Sequence, residues 1–258
     1  MNAGLDTNAA GNGLGRSPEA RRPARRRGLH REAVDTLGKR IVSGGLPIGS
    51  TLPNEADLGD ELAVSRTVVR EAVKVLAAKG LVDTRPRMGT RVQPRSHWDV
   101  IDHDVLDWIV GADPTREFYR DLFEVRSIFE PHAAALAAGR RSAAEAEAIT
   151  ELMERMADAV DDREAYIVAD LRFHEAILRA AHNELLARLS GTLGVALQAG
   201  RGVTTRVPAG PSSSMALHRE LSGAIADADT GRARQAMQRL IDFATQDMEV
   251  VLSGSRLP

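Results

Sequence analysis

Hydrophobic positions fall at helical spacing along most of this chain and at alternating spacing in one short stretch. Val34, Leu37 and Ile41 mark the inner side of a first helix over residues 31–42, ended by Gly44-Gly45. The segment LPIGSTLPN follows, and its Pro47, Gly49 and Pro53 predict a turn-rich connector. Asn54 is placed to cap a short helix that carries Leu58 and Leu62 four residues apart. Ser65 is placed to cap the next helix, which runs to about Lys79 and stops at Gly80. That helix has two faces. Val69, Val73 and Leu76 suit a core, whereas Arg66, Arg70 and Lys74 recur every four residues on the other side. Residues 81–84 and 90–93 read as short strands joined by Arg85-Pro86-Arg87-Met88-Gly89. Pro86 fixes one torsion there, and Gly89 can take a positive φ that would strain another residue.

From residue 96 onward the periodicity is helical throughout. It predicts a short helix over 105–110 and a long one over 115–140, with Pro131 inside as a kink. Ser142 and Glu145 form a capping-box pattern that opens another helix. Further helices are expected over 162–181, 184–200, 214–227 and 230–252, with 201–213 as a Gly/Thr/Pro/Ser loop and no internal repeat. The resulting layout is a disordered basic tail (1–28), a winged helix-turn-helix (29–95), a linker with a connecting helix (96–111) and an all-α bundle (112–254). The fold class is mainly α.

Composition sharpens this picture. Aromatic residues are only 3% of the chain, so cores must be built from Ala, Leu, Val and Ile, which favours helices. The chain has no cysteine, which excludes disulfides and thiolate metal sites. No run of about 18 apolar residues is present, and no apolar stretch follows the N-terminal arginines, so neither a membrane span nor a secretory signal is expected. A cytoplasmic location is the expectation. The net charge of −2 conceals an asymmetry: residues 1–95 hold 17 Lys and Arg against 10 Asp and Glu, and the remainder holds 17 against 26. A basic first part joined to an acidic second part points to a polyanion partner for the first part alone.

The string GSTLPNEADLGDELAVSRTVVREAVKVLAAKGLV, with RPRMGTRV after it, resembles the winged helix-turn-helix of the GntR family of bacterial transcription regulators. The resemblance implies that Ser65, Arg66, Thr67 and Arg70 contact double-stranded DNA from the reading helix, and Arg87 and Gly89 from the wing. The chemistry agrees, because arginine can bond guanine bidentately and hydroxyls can donate to phosphates. Ala56 stands where many members carry Arg, and Val68 where many carry Pro. The competing reading of Arg66 and Arg70 is a solvated face paired with Glu71 or Asp60.

Asp170 and His174 lie four apart on one helix, and His218 opens a later one. A carboxylate with two imidazoles suits Zn, Ni, Mn or Fe, but spacing alone favours ordinary hydrogen-bonded histidines in a polar pocket. The patches FEVRSIFEPHAAALAA, ADLRFHEAILRAAHNELL and HRELSGAIADAD resemble the FCD effector domain of FadR-type members. The resemblance implies that Asp170, His174 and His218 hold a divalent transition metal. Leu240 stands where many members carry a further His, which leaves at most three protein ligands and open positions for a ligand carboxylate. Arg126, within an apolar stretch, needs an anion: the effector's carboxylate by resemblance, or Glu130 one turn on. Ser214, one turn before His218, would suit a polyol. The segment WDVIDHDVLDW resembles the linker of sugar-acid-sensing members, with His103 in place of Pro; Trp98 and Trp108 are expected to pack the domains together.

These readings together predict a homodimeric, ligand-responsive regulator and not an enzyme. It would repress a sugar-acid catabolic operon by binding an inverted repeat, and a small carboxylate would release it. A FadR-like regulator of acyl thioesters is the alternative, disfavoured by the Asp/His/His set. A metalloenzyme fused to a DNA-binding domain is the remote one, with no general base, Gly-rich phosphate loop or nucleophile motif to support it.

Overall fold

The computed structural model describes residues 22–85, 89–207 and 210–254. Helix α1 (Arg22–Val42) leads into α2 (Glu55–Glu61) and α3 (Arg66–Ala78), followed by β1 (Val82–Arg85) and β2 (Gly89–Val92). A single 3-10 turn at Arg95–His97 precedes α4 (His103–Gly111). The remaining helices are α5 (Arg116–Arg140), α6 (Ala143–Asp158), α7 (Arg163–Ala180), α8 (Glu184–Thr204), α9 (Gly210–Ala226) and α10 (Thr230–Leu252). The strands pair antiparallel, with Val82 opposite Val92 and Arg85 opposite Gly89. Among the described residues no helix is long and apolar enough to cross a membrane.

Caps form where the side chains predict them. Asn54 accepts from the Ala56 and Asp57 amides, Ser65 accepts from Val68, and Ser142 and Glu145 make a reciprocal capping box. Ala63, at φ 53, turns the chain between α2 and α3. Gly59 lets that turn close, because a Cβ there would meet the Val64 carbonyl at 3.0 Å.

Helix boundaries differ most from expectation in two places. Helix α1 begins at Arg22, inside the stretch expected to be a disordered tail. Ala and Arg are strong helix formers, and Pro23 is tolerated in a first turn, so this basic segment has helical propensity without apolar periodicity. Helix α8 continues through Thr204 and α9 begins at Gly210, so helix occupies part of the expected 201–213 loop.

The N-terminal head has its own core of Leu37, Ile41, Leu58, Val69, Leu76 and Leu81, into which the linker inserts Trp98, Val105, Trp108 and Ile109. Trp108 lies on Gly38, where a Cβ would come within 2.5 Å of the indole, and its Nε1 donates to Asp35 at 3.3 Å. The bundle core is alanine-rich, with Ala134, Ala137 and Ala138 of α5 near Ala233, Ala236 and Met237 of α10. Small side chains let these two helices run close, which suits a chain poor in aromatics. A third cluster joins Leu106 of α4 to Leu122 of α5 and Ala196 and Leu197 of α8. Helix α4 is thus packed on both the head and the bundle.

Candidate nucleic-acid surface and buried polar cavity

The outward face of α3 carries Arg66, Thr67, Arg70 and Lys74, all exposed, while Val68, Val69, Ala72 and Leu76 are buried. Arg70 is forked onto Glu55 at the start of α2, with Nε donating to Oε1 at 2.9 Å and Nη2 to Oε2 at 2.7 Å. This partner is neither Glu71 nor Asp60. The Arg70 hydrogen bond holds the Glu55 carboxyl below its usual range. Lys74 pairs with Glu71 at 2.8 Å. Both pairs are solvated and weak, so a nucleic-acid phosphate or base edge can displace them. In the wing, Gly89 takes φ 81, with Thr51 directly below it. Arg91 donates to the Gly49 carbonyl at 2.6 Å, and Arg85 pairs with Asp83 at 2.7 Å. Arg87 lies outside the described residues.

The end of the α3 segment is tied to the linker helix. Lys79 Nζ sits 2.6 Å from Asp102 and 2.8 Å from Asp104, and the Lys79 side chain is only 12% exposed. Burial pushes the Lys79 ammonium down, but the two carboxylates outweigh it and leave its pKa raised.

Within the bundle, α5, α7, α8, α9 and α10 converge on a small polar cavity. Asp170 and His174 enter from α7 and His218 from α9, and one ligand atom from each lies within 4.8 Å of the others. His174 Nδ1 donates to Glu130 Oε2 at 2.8 Å, and His218 Nδ1 donates to the Ser214 carbonyl at 3.0 Å. Both rings are therefore oriented with Nε2 toward Asp170, at 3.7 Å for His174 and 3.1 Å for His218. Burial first, and then His174, push the His218 pKa down to about 3, so this ring is neutral. His218 Nε2 lies 3.1 Å from Asp170 Oδ1.

Arg126 lies in the cavity wall with its Nε on Glu130 Oε1 at 2.7 Å and its guanidinium 4.9 Å from the Phe123 ring. Burial would raise the Glu130 pKa, but Arg126 and then His174 hold that carboxyl far below its usual range. Ser214 also lines the cavity. Its hydroxyl donates to the Pro211 carbonyl at 3.0 Å and accepts from Tyr166 at 2.8 Å. Leu240 lines the same cavity.

Arg201 was not singled out by sequence reasoning. Its Nε pairs with Asp170 Oδ2, its Nη1 makes a long 3.4 Å bond to the Leu197 carbonyl, and its Nη2 has no partner. Burial, reinforced by Arg126, lowers its pKa to about 9. The signal available in the sequence was the Leu197/Arg201 spacing of one turn, hidden when residue 201 was read as the start of a loop.

A winged head with a cationic reading face, joined through α4 to a helical bundle with a buried polar cavity, is the architecture of a DNA-binding regulator with a ligand-receiving domain. The comparisons agree. Residues 29–92 match the model of bacterial regulatory proteins of the gntR family, and residues 121–243 match the FCD domain. The chain belongs to the GntR family, with an FCD domain as its second part. It is 36% identical to the galactonate operon transcriptional repressor of Escherichia coli K12, over 84% of this chain and 96% of the relative. It is 32% identical to the HTH-type transcriptional regulator YieP of the same strain, over 86% and 96% respectively. The solved structure of Lar, which controls expression of the Listeria monocytogenes agr system, shares the fold at 20% identity, with a TM-score of 0.60 over 86% of this chain and 97% of that one.

Proposed function

We propose that this protein is a cytoplasmic, homodimeric repressor of a sugar-acid catabolic operon, released from its operator when a small sugar acid enters the FCD cavity. The observation that carries the reading is the buried Asp170, His174 and His218 set, facing a polar cavity in a bundle that abuts the linker helix. The similarity to a galactonate operon repressor supports the effector class. Ser65, Arg66, Thr67 and Arg70 would read the operator from α3, with Arg87 and Gly89 on the wing. Two heads related by a two-fold axis would meet the half-sites of an inverted repeat. An exposed apolar groove along Val100, Ile101, Phe118, Leu122, Val125 and Leu189 offers a surface for the second copy.

The donor set fits a divalent ion. Both imidazole Nδ1 atoms are committed to protein acceptors, which turns the two Nε2 atoms toward Asp170 Oδ1 as a set of three ligand atoms. Asp170, His174 and His218 would hold Zn, Ni, Mn or Fe. Leu240 in the cavity wall leaves positions open to effector oxygens. When bound, the ion supplies Lewis-acid attraction for those oxygens. Arg126 and Ser214 would shape the pocket around the rest of the effector. The domain division proposed is a head over 29–95, a linker over 96–111 and an effector domain over 112–254. We read the site as a sensor, not an active site.

Thermal unfolding against a panel of sugar acids and simple carboxylates, with and without a chelator, tests the reading. An effector at a hundred times its Kd adds about 2.7 kcal/mol. The expected result is a rise in Tm with one sugar acid that chelation removes. No shift with any sugar acid, and none on chelation, would contradict it.

A further inference from the structure

We infer that Arg201, and not Arg126, receives the effector's carboxylate, and that it does so beside the metal position, so that ion and carboxylate bind cooperatively. The inference rests on the functional reading above and deepens it by assigning the anion-recognising residue.

Arg126 is already neutralised. Its Nε is bonded to a buried carboxylate on its own helix, Glu130, and the ring of Phe123 lies against its guanidinium. Arg201 also has its Nε on a buried carboxylate, Asp170, but one of its N–H groups is left unmet. It is 4% exposed, it lines the cavity, and its Nη2 is, among the described residues, the buried side-chain polar atom left without a hydrogen-bond partner. A buried guanidinium with an unmet N–H is unfavourable until an acceptor arrives, and a carboxylate oxygen is the acceptor whose geometry suits that fork.

Arg201 and the metal position share Asp170. One carboxylate oxygen is held by Arg201, while the other faces His174 and His218. A carboxylate entering between Arg201 Nη2 and the open coordination positions would touch both cations at once. The charge balance points the same way. Arg126 and Arg201 are offset by Glu130 and Asp170, and Asp247 in the wall adds a further carboxylate, so without the ion an added anion would find no net attraction. A divalent ion makes the cluster cationic, and a monoanionic effector then reduces the excess. Metal and carboxylate should therefore each tighten the other's binding by the same factor.

The deciding experiment is calorimetry on the full-length protein reloaded with zinc, comparing D-galactonate with galactitol, in which the carboxylate is replaced by a neutral CH2OH. D-gluconate and D-xylonate serve as second probes. The wild type is expected to prefer the acid, and galactonate to tighten zinc binding in the reciprocal titration. In Arg201→Met the acid-over-polyol preference should fall roughly 10- to 100-fold, the scale of a lost charge-assisted bond, while zinc still binds through Asp170, His174 and His218. Arg201→Lys keeps the charge without the fork; it should fold, bind zinc and show a smaller loss, and it decides the matter if the Met variant does not fold. A merely structural role for Arg201 would lower Tm without changing the ratio of the two affinities. An unchanged ratio in both Arg201 variants would overturn the proposal. If the zinc-loaded wild type binds no sugar acid at all, the functional reading itself fails, and it does so before any substitution is made.

Discussion

Two glycines of α1 make opposite predictions for the same chemical change. A Cβ at Gly38 would lie 2.5–2.6 Å from three ring carbons of Trp108. The indole is 1% exposed and sealed between α1 and α4, so it cannot retreat without opening the head core. Overpacking of this kind costs about 1–3 kcal/mol, against which Ala over Gly in a helix returns about 0.5–1 kcal/mol. Gly38→Ala should therefore be destabilising by roughly 1–2 kcal/mol, a fall of a few degrees in the melting of the head. Gly28 is exposed in the same helix, and a Cβ there would meet nothing within 4 Å. Gly28→Ala should stabilise by about 0.4–1 kcal/mol if the helix extends back past residue 28, and should do nothing if that stretch is a disordered tail. Denaturant unfolding followed by tryptophan fluorescence reads both variants, since Trp98 and Trp108 are both buried beside the head core. A Gly38→Ala protein as stable as Gly28→Ala would refute the seating of Trp108 on α1. A neutral Gly28→Ala would refute the N-terminal extension of the helix.

Three further outcomes are expected. Arg70→Ala should weaken operator binding by about 5- to 150-fold, the worth of a bidentate base contact of roughly 1–3 kcal/mol, and unchanged affinity in a fluorescence-anisotropy titration would remove Arg70 from the interface. Lys79→Met should destabilise by about 1–2 kcal/mol, a figure already discounted for the part-exposed Asp102 and Asp104. Lys79 is raised from 10.5, so its share is present below that pH and lost above it; Asp102 is lowered from 3.8, so its share is present above that pH and lost below it. The variant's deficit should thus be full from about pH 5 to 9 in urea titrations and shrink at both extremes. Burial raises the Asp247 carboxyl in the cavity wall from 3.8 to about 6. A raised acid penalises the fold as pH rises through that interval, so Asp247→Asn should be neutral at pH 4 and stabilising above pH 6, by about 1 kcal/mol after screening; equal effects at both pH values would contradict the burial argument.

The head was legible because its signals are local. Caps at Asn54 and Ser65, the Arg66/Arg70/Lys74 stripe and the Gly89 turn each follow from residues a few positions apart. Asp170, His174 and His218 were legible as a candidate set because a four-residue spacing places two of them on one face. What the sequence hid depends on contacts between distant helices. Arg70 pairs with Glu55, 15 residues away, and not with a neighbour on its own helix. The competing partner proposed for Arg126, Glu130, is indeed bonded to it, while Arg201 approaches Asp170 from a helix 31 residues on. Reading Gly, Thr and Pro as a loop over 201–213 removed Arg201 from helical register, and so from view. Basic, apolar-poor segments such as 22–28 can be helical by propensity alone, which a search for hydrophobic periodicity does not detect.

The central claim is that cavity occupancy governs DNA binding. Anisotropy of the zinc-loaded protein on a labelled operator fragment, titrated with D-galactonate and related sugar acids, tests it most directly. The account predicts that one sugar acid raises the operator Kd by about 5- to 150-fold, the usual scale of allosteric coupling, and that chelation or Asp170→Asn abolishes the response. Operator affinity that is indifferent to every sugar acid while the same acids measurably bind the protein would contradict it.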